Sequence, residues 1–147
     1  AADSVRNSDA LVLPLGRGRT SPISAVDVAR AVAVVLGDPA PHIGRIYNRT
    51  GYESAGLTHY AKVFSETLGR TIVYREVPID AWIDKLRPLG LPAHLLAHLA
   101  AMARLHQEGR YDRMTDDFMR LTGRAPTSMR DFVRAHAADF PRPATTA

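Results

Sequence analysis

Between Ser24 and Gly37 the sequence runs Ala25-Val26-Asp27-Val28-Ala29-Arg30-Ala31-Val32-Ala33-Val34-Val35-Leu36. A helix built from these residues is apolar nearly all round. Such a helix cannot sit half in water on a small domain; it has to be covered on several sides. Both ends are marked. Ser24 reads as an N-cap with Asp27 three residues on, a capping-box variant in which the serine accepts the amide ahead and the carboxylate reaches back. Gly37 closes the helix and Pro39 prevents its continuation. Whatever the fold, something large must lie against residues 25–36.

The surrounding pattern alternates. Leu11-Val12-Leu13-Pro14-Leu15 reads as a short edge strand, because Pro14 cannot donate to a ladder. Gly16 to Gly18 then turn the chain, and Pro22 keeps residues 21–24 extended. After the helix, Gly44-Arg45-Ile46-Tyr47-Asn48-Arg49-Thr50-Gly51 reads as a strand ending in a loop. Thr58 opens a helix to Leu68, with Tyr60, Ala61, Phe64 and Leu68 on one stripe and Gly69 as its stop. The β-branched and aromatic run 71–77 is the third strand, ended by Pro78. Everything beyond is helical: 79–87, then 92–108 with Pro92 in its first turn, a short helix capped by Thr115, and a last helix from Ser128 through Ala138. The opening nine residues are polar and read as structureless, and residues 141–147 as a frayed tail. The order strand–helix–strand–helix–strand implies an α/β fold with parallel pairing and helices added at one end or face. Three short strands make a poor sheet alone.

Composition narrows the classes. The 147 residues carry a net charge of +4 and no Cys. Disulfides, thiolate zinc sites and a cysteine nucleophile are therefore excluded, and the chain fits the cytoplasm. The cations are interspersed with acids, Gly16-Arg17-Gly18-Arg19 being the densest basic spot, so no nucleic-acid footprint is expected. No apolar run approaches a membrane span.

Several segments in order resemble the C-terminal half of NmrA-like proteins, atypical relatives of the short-chain dehydrogenase/reductases. They are Gly18-Arg19-Thr20-Ser21-Pro22-Ile23-Ser24-Ala25-Val26-Asp27-Val28-Ala29-Arg30-Ala31, Ile46-Tyr47-Asn48-Arg49-Thr50-Gly51-Tyr52-Glu53-Ser54, Leu68-Gly69-Arg70, and Thr115-Asp116-Asp117 through Leu121-Thr122-Gly123-Arg124-Ala125-Pro126. Tyr52 departs from the pattern, which has Pro between Gly51 and Glu53. The resemblance implies the C-terminal part of a Rossmann-type NAD(P)-binding fold: residues 11–77 as late strands and helices, Ile46 to Asn48 among the strands of the main sheet, and 78–140 as a helical substrate-binding lobe. It also implies NADP or NAD in the complete protein and hydride transfer to a small apolar, aromatic or quinoid acceptor. The family's glycine-rich fingerprint has no match here. Gly16-Arg17-Gly18 lacks the preceding first strand, the third glycine and the following helix start, and no Tyr-x-x-x-Lys pair occurs. No catalytic or cofactor-binding residue therefore carries over, and no cofactor is expected on this chain alone. The chain reads as a substrate-side half that is inactive by itself, with a missing N-terminal half or second chain to cover helix 25–36. The alternatives are a dinucleotide-sensing regulator without catalysis, or a standalone interaction module that covers the helix by homodimerising.

For the substrate, a hydride acceptor needs a flat, dry, apolar slot. Trp82, Met102 and Tyr111 are expected to line it, with Pro22 and Ile23 near the cleft between lobe and sheet. His94 and His98 stand at i, i+4, as zinc ligands can, but no intervening glutamate or third ligand follows. They read as surface or pocket-rim histidines, His98 joining the substrate set, and no metal is expected. Asp27 reads as a cap, and Asp116 with Asp117 as a helix start complementing its dipole. No nucleophile–base spacing stands out.

Overall fold

The structure, a computed structural model, describes residues 2–142. The chain runs through α1 (Ala2–Ser8), β1 (Ala10–Leu13), β2 (Arg19–Thr20), α2 (Ala25–Gly37), β3 (Ala55–Gly56), α3 (Leu57–Leu68), β4 (Val73–Glu76), α4 (Ile79–Leu86), α5 (Ala93–Gln107), α6 (Asp117–Thr122) and α7 (Met129–Ala135). The α/β class is as expected. β1 and β4 pair in parallel, Ala10 opposite Val73 and Leu13 opposite Glu76. A second ladder, β2 with β3, is antiparallel and only two residues long, and the sequence offered no sign of it.

Helix α3 is the centre of the core. Its stripe of Tyr60, Ala61 and Phe64 is buried with Leu11 of β1, Ile72 before β4 and Val133 of α7. Phe140 closes edge-to-face on Phe64, with ring centroids 5.3 Å apart. The helix ends at Gly69, whose φ of +62° favours glycine. The later helices divide their packing: α4 and α5 form a hairpin, α6 packs on α2, and α7 packs on α3. The last helix stops at Ala135, short of the expected Ala138, and a one-turn 3-10 helix, Ala137–Asp139, follows. The tail expected to fray lies, from residue 143 on, outside the described residues.

Four expectations are corrected. The opening residues form α1 rather than a structureless run. Arg6 pairs with Asp3 at 3.0 Å, Ser8 Oγ donates to Ser4 O at 2.8 Å, and Val5 is fully buried. A single apolar residue in a polar run has no period to detect. Second, residues 44–51 carry no strand. A ladder needs a neighbour, and here the Asn48 amide donates to the Asp117 carboxylate at 2.7 Å instead. Third, Thr115 does not cap α6. Asp116 holds that position, and the Thr115 hydroxyl donates to Asn48 O. Fourth, α2 is covered on one side only. It buries Asp27 and Ala31, while Val26 and Leu36 are 57% and 71% exposed and Val32 and Val34 are also open. The described residues supply no layer for that outer face.

The two ends of the described chain are tied together. Arg70 donates to Phe140 O at 3.1 Å and Pro141 O at 2.9 Å. Its Nε faces Asp9 at 3.2 Å, the residue that turns the chain from α1 into β1 at φ +48°.

Candidate functional site

The segment from Gly18 to Ser24 organises the face opposite that clamp. Gly18 lies flat on the end of α5: a Cβ there would stand 2.0 Å from His106 O. This is the reason for a glycine in Gly16-Arg17-Gly18, and it leaves no cradle for a pyrophosphate. Gly16-Arg17-Gly18 therefore does not fit a dinucleotide phosphate. Thr20 O accepts from Tyr60 Oη at 2.8 Å. Burial, with Glu53 nearby, pushes that phenol up to about 12, so it stays a neutral donor. Ser21 O accepts the Gly51 amide at 3.0 Å. At Gly51 a Cβ would stand 1.8 Å from Pro22 O, so the two strands of chain touch backbone to backbone.

The loop Asn48 to Thr50 is clasped to the turn before α6. Thr50 Oγ1 takes the Thr115 amide at 3.0 Å and donates to Thr115 O at 3.2 Å. The hydrogen bond from Arg120 and the amide of Asn48 hold the Asp117 carboxyl below its ordinary range. Ser21 Oγ donates to Arg113 O at 2.8 Å. These bonds frame an open concavity of about 640 Å³, lined by Thr20, Ser21, residues 47–50, Tyr111, Arg113, Met114 and Thr115. Tyr47 sits on its wall with its hydroxyl 2.8 Å from His42 Nδ1. Tyr111 stacks on His106 at 4.1 Å between centroids, and His106 is itself held through Nδ1 to Met102 O at 2.8 Å.

A second, smaller cleft of about 90 Å³ is apolar and lies between Pro22, Ile23, Ser24, Thr127, Met129 and Phe132. Asp27 ties two of these lining residues, Ser24 and Thr127, together. Ser24 does cap α2, accepting the Asp27 amide at 3.0 Å. The Asp27 carboxylate is held by Ser24 as well, and it accepts the Thr127 amide at 2.8 Å and pairs with Arg30 at 2.9 Å. Burial pushes this carboxyl up, but the bonds from Thr127, Ser24 and Arg30 together hold it below its ordinary value of 3.8.

The structure thus places Pro22 and Ile23 together at the small cleft and Tyr111 at the large one. Trp82 lies on α4, and His98 and Met102 on α5; none of the three lines either cleft. Tyr47, Arg49, Arg113 and Met114 were not singled out from the sequence. Tyr47 and Arg49 lie inside the resembling segment 46–54, whereas Arg113 and Met114 stand just before the segment 115–126, and the clasp between Thr50 and Thr115 is what brings them together. Among the described residues no group of His, Asp or Glu is arranged to hold a metal.

No model of a protein family matches the chain. It is 27% identical over 135 residues to an uncharacterized oxidoreductase, YesF, of Bacillus subtilis, covering 92% of this chain and 47% of that protein. It is 26% identical over 139 residues to an NAD(P)H azoreductase of Xenophilus azovorans, covering 95% and 48%. The fold matches an NADPH-dependent quinone oxidoreductase of Escherichia coli with a TM-score of 0.80 and 23% identity, over 93% of this chain and 49% of that one. The chain's homologues are oxidoreductases of the NmrA-like, NAD(P)-dependent fold family. The chain spans about half the length of the NmrA-like relatives it matches, consistent with a C-terminal half. No helix among the described residues is long and apolar enough to cross a membrane.

Proposed function

We propose that the chain is the substrate-binding half of an NmrA-like NAD(P)H-dependent oxidoreductase that reduces a small apolar or quinoid acceptor, and that it is inactive alone. One observation carries the reading. The chain corresponds to about half of each reductase it resembles, and α2 is left apolar and open on the side the described residues do not fill. NADP or NAD is assigned to the complementary half, a reading supported by the close contact of Gly18 with His106 O, which leaves Gly16-Arg17-Gly18 no room to act as a phosphate loop. Here the chain supplies positioning and desolvation for the acceptor: Pro22 and Ile23 at the small cleft, Tyr111 at the large one, and Trp82, His98 and Met102 on the α4–α5 hairpin. The same open face favours a second reading, a module that covers α2 by homodimerising.

Mixing the purified chain with NADPH and a quinone should give no oxidation of NADPH at 340 nm. Adding a separately expressed cofactor half that carries a glycine-rich loop should restore it. Turnover by the chain alone, or a stable homodimer that ignores the added half, would sink the proposal.

A further inference from the structure

The larger cleft carries charge that the acceptor proposed above does not use. Two arginines line it, Arg49 and Arg113, and no carboxylate does. The acids nearest in sequence are engaged elsewhere: Asp112 with Arg19 and Ser54, Asp116 and Asp117 with Arg120. Neither Arg49 nor Arg113 has a carboxylate partner among the described residues. Arg113 is steadied by its Nε bond to Arg110 O at 3.0 Å and lies 6.0 Å from the centroid of the Tyr111 ring. Tyr47, Tyr111 and Met114 line the same cleft. Tyr47 is pinned by His42 and Tyr111 by His106, so both rings are fixed before a ligand arrives, which lowers the ordering cost of binding.

We propose that this concavity binds a flat aromatic or conjugated molecule bearing an anionic group, a carboxylate or sulfonate. Its ring packs against Tyr47, Tyr111 and Met114 while the anion is held by Arg49 and Arg113. Guanidinium forks suit planar, two-oxygen anions, and flat rings suit tyrosine faces. The site deepens the reductase reading by naming the acceptor class: an acidic aromatic in preference to a neutral quinone.

Calorimetric titration of the 147-residue chain at near-physiological salt tests it with two probes of one ring system, 2-naphthalenesulfonate and 2-naphthalenemethanol. The sulfonate should bind one to one, about tenfold more tightly than the alcohol, the scale of a charged hydrogen bond. Arg49→Gln and Arg113→Gln should each weaken sulfonate about tenfold and leave the alcohol unchanged. Arg49→Lys and Arg113→Lys, which keep the charge, should stay within about threefold of the parent chain and guard against a folding defect. Arg87→Gln removes an exposed guanidinium that does not line the cleft and should change nothing. Equal affinity for the two probes overturns the proposal. So does no saturable binding, or an Arg87→Gln loss as large as that of Arg49→Gln, which would assign the effect to net charge. The readout needs no turnover. Sulfonate binding without reduction by the completed protein sinks the reductase reading alone. Reduction of neutral and acidic quinones at equal efficiency sinks the anion site alone.

Discussion

Asp27 is a charged residue on an apolar helix, and its burial is explained by what it holds. Its carboxylate reaches the Thr127 amide across 100 positions of sequence and fixes α2 to the stretch that precedes α7. Asp27→Ala leaves that amide and the Arg30 guanidinium without their acceptor and should cost about 2 to 3 kcal/mol in urea melts. The acid dependence has a definite sign. The folded carboxyl sits below its ordinary 3.8, so the unfolded chain binds the proton more readily. The contribution is complete above that value and is lost as pH falls through the folded one. The stability gap between the parent chain and Asp27→Asn should be widest near about pH 7 and narrow as pH falls below the ordinary 3.8; a gap that holds constant would deny the carboxylate its role. Gly51 makes the complementary case. Gly51→Ala forces a methyl onto Pro22 O and should destabilise by about 3 kcal/mol or more. Gly37→Ala, where a Cβ meets nothing within 4 Å, should be neutral or stabilise by up to about 1 kcal/mol. Thermal melts of the two variants separate close approach from glycine content.

At the scale of elements, α2 is the one whose sequence and surroundings disagree. Its composition calls for cover all round, and the described residues give cover on the Asp27–Ala31 side alone. Val26→Lys or Leu36→Lys should therefore change the chain's own stability by less than about 0.5 kcal/mol, as open surface positions do. The same variants should abolish assembly with the cofactor half in a pull-down. A large loss of stability in the isolated chain would mean that α2 is already packed. The helices were legible because their signals are local: the period of Tyr60, Ala61 and Phe64, the serine caps at 24 and 128, the stop at Gly69. The strand expected around Ile46 was not, because strands are a property of pairs. That segment kept its extended composition, left Ile46 86% exposed, and gave its Asn48 amide to Asp117.

For the whole molecule, sequence reasoning reached the α/β class, parallel pairing without its partners, and the kinship with NmrA-like reductases. Of the residues expected to bind substrate, Pro22, Ile23 and Tyr111 line clefts in the structure, while Trp82, His98 and Met102 line neither of them. Sequence reasoning did not reach Tyr47, Arg49, Arg113 or Met114, whose common wall exists only because Thr50 and Thr115, 65 positions apart, clasp two loops. Nor could it see α1, which is held by one buried valine. In native mass spectrometry the chain of 16.1 kDa should bind one copy of the cofactor half and form no homodimer in its presence.

The bond from Asp27 to Thr127 also fixes an order of events in time. A ribosome adding about 5 to 20 residues per second releases α2 roughly 5 to 20 seconds before its anchoring amide exists. Throughout that interval the valine-rich helix lacks its own clasp. A stall after residue 37 and before residue 127 should leave it open to any nascent-chain binder that favours apolar segments.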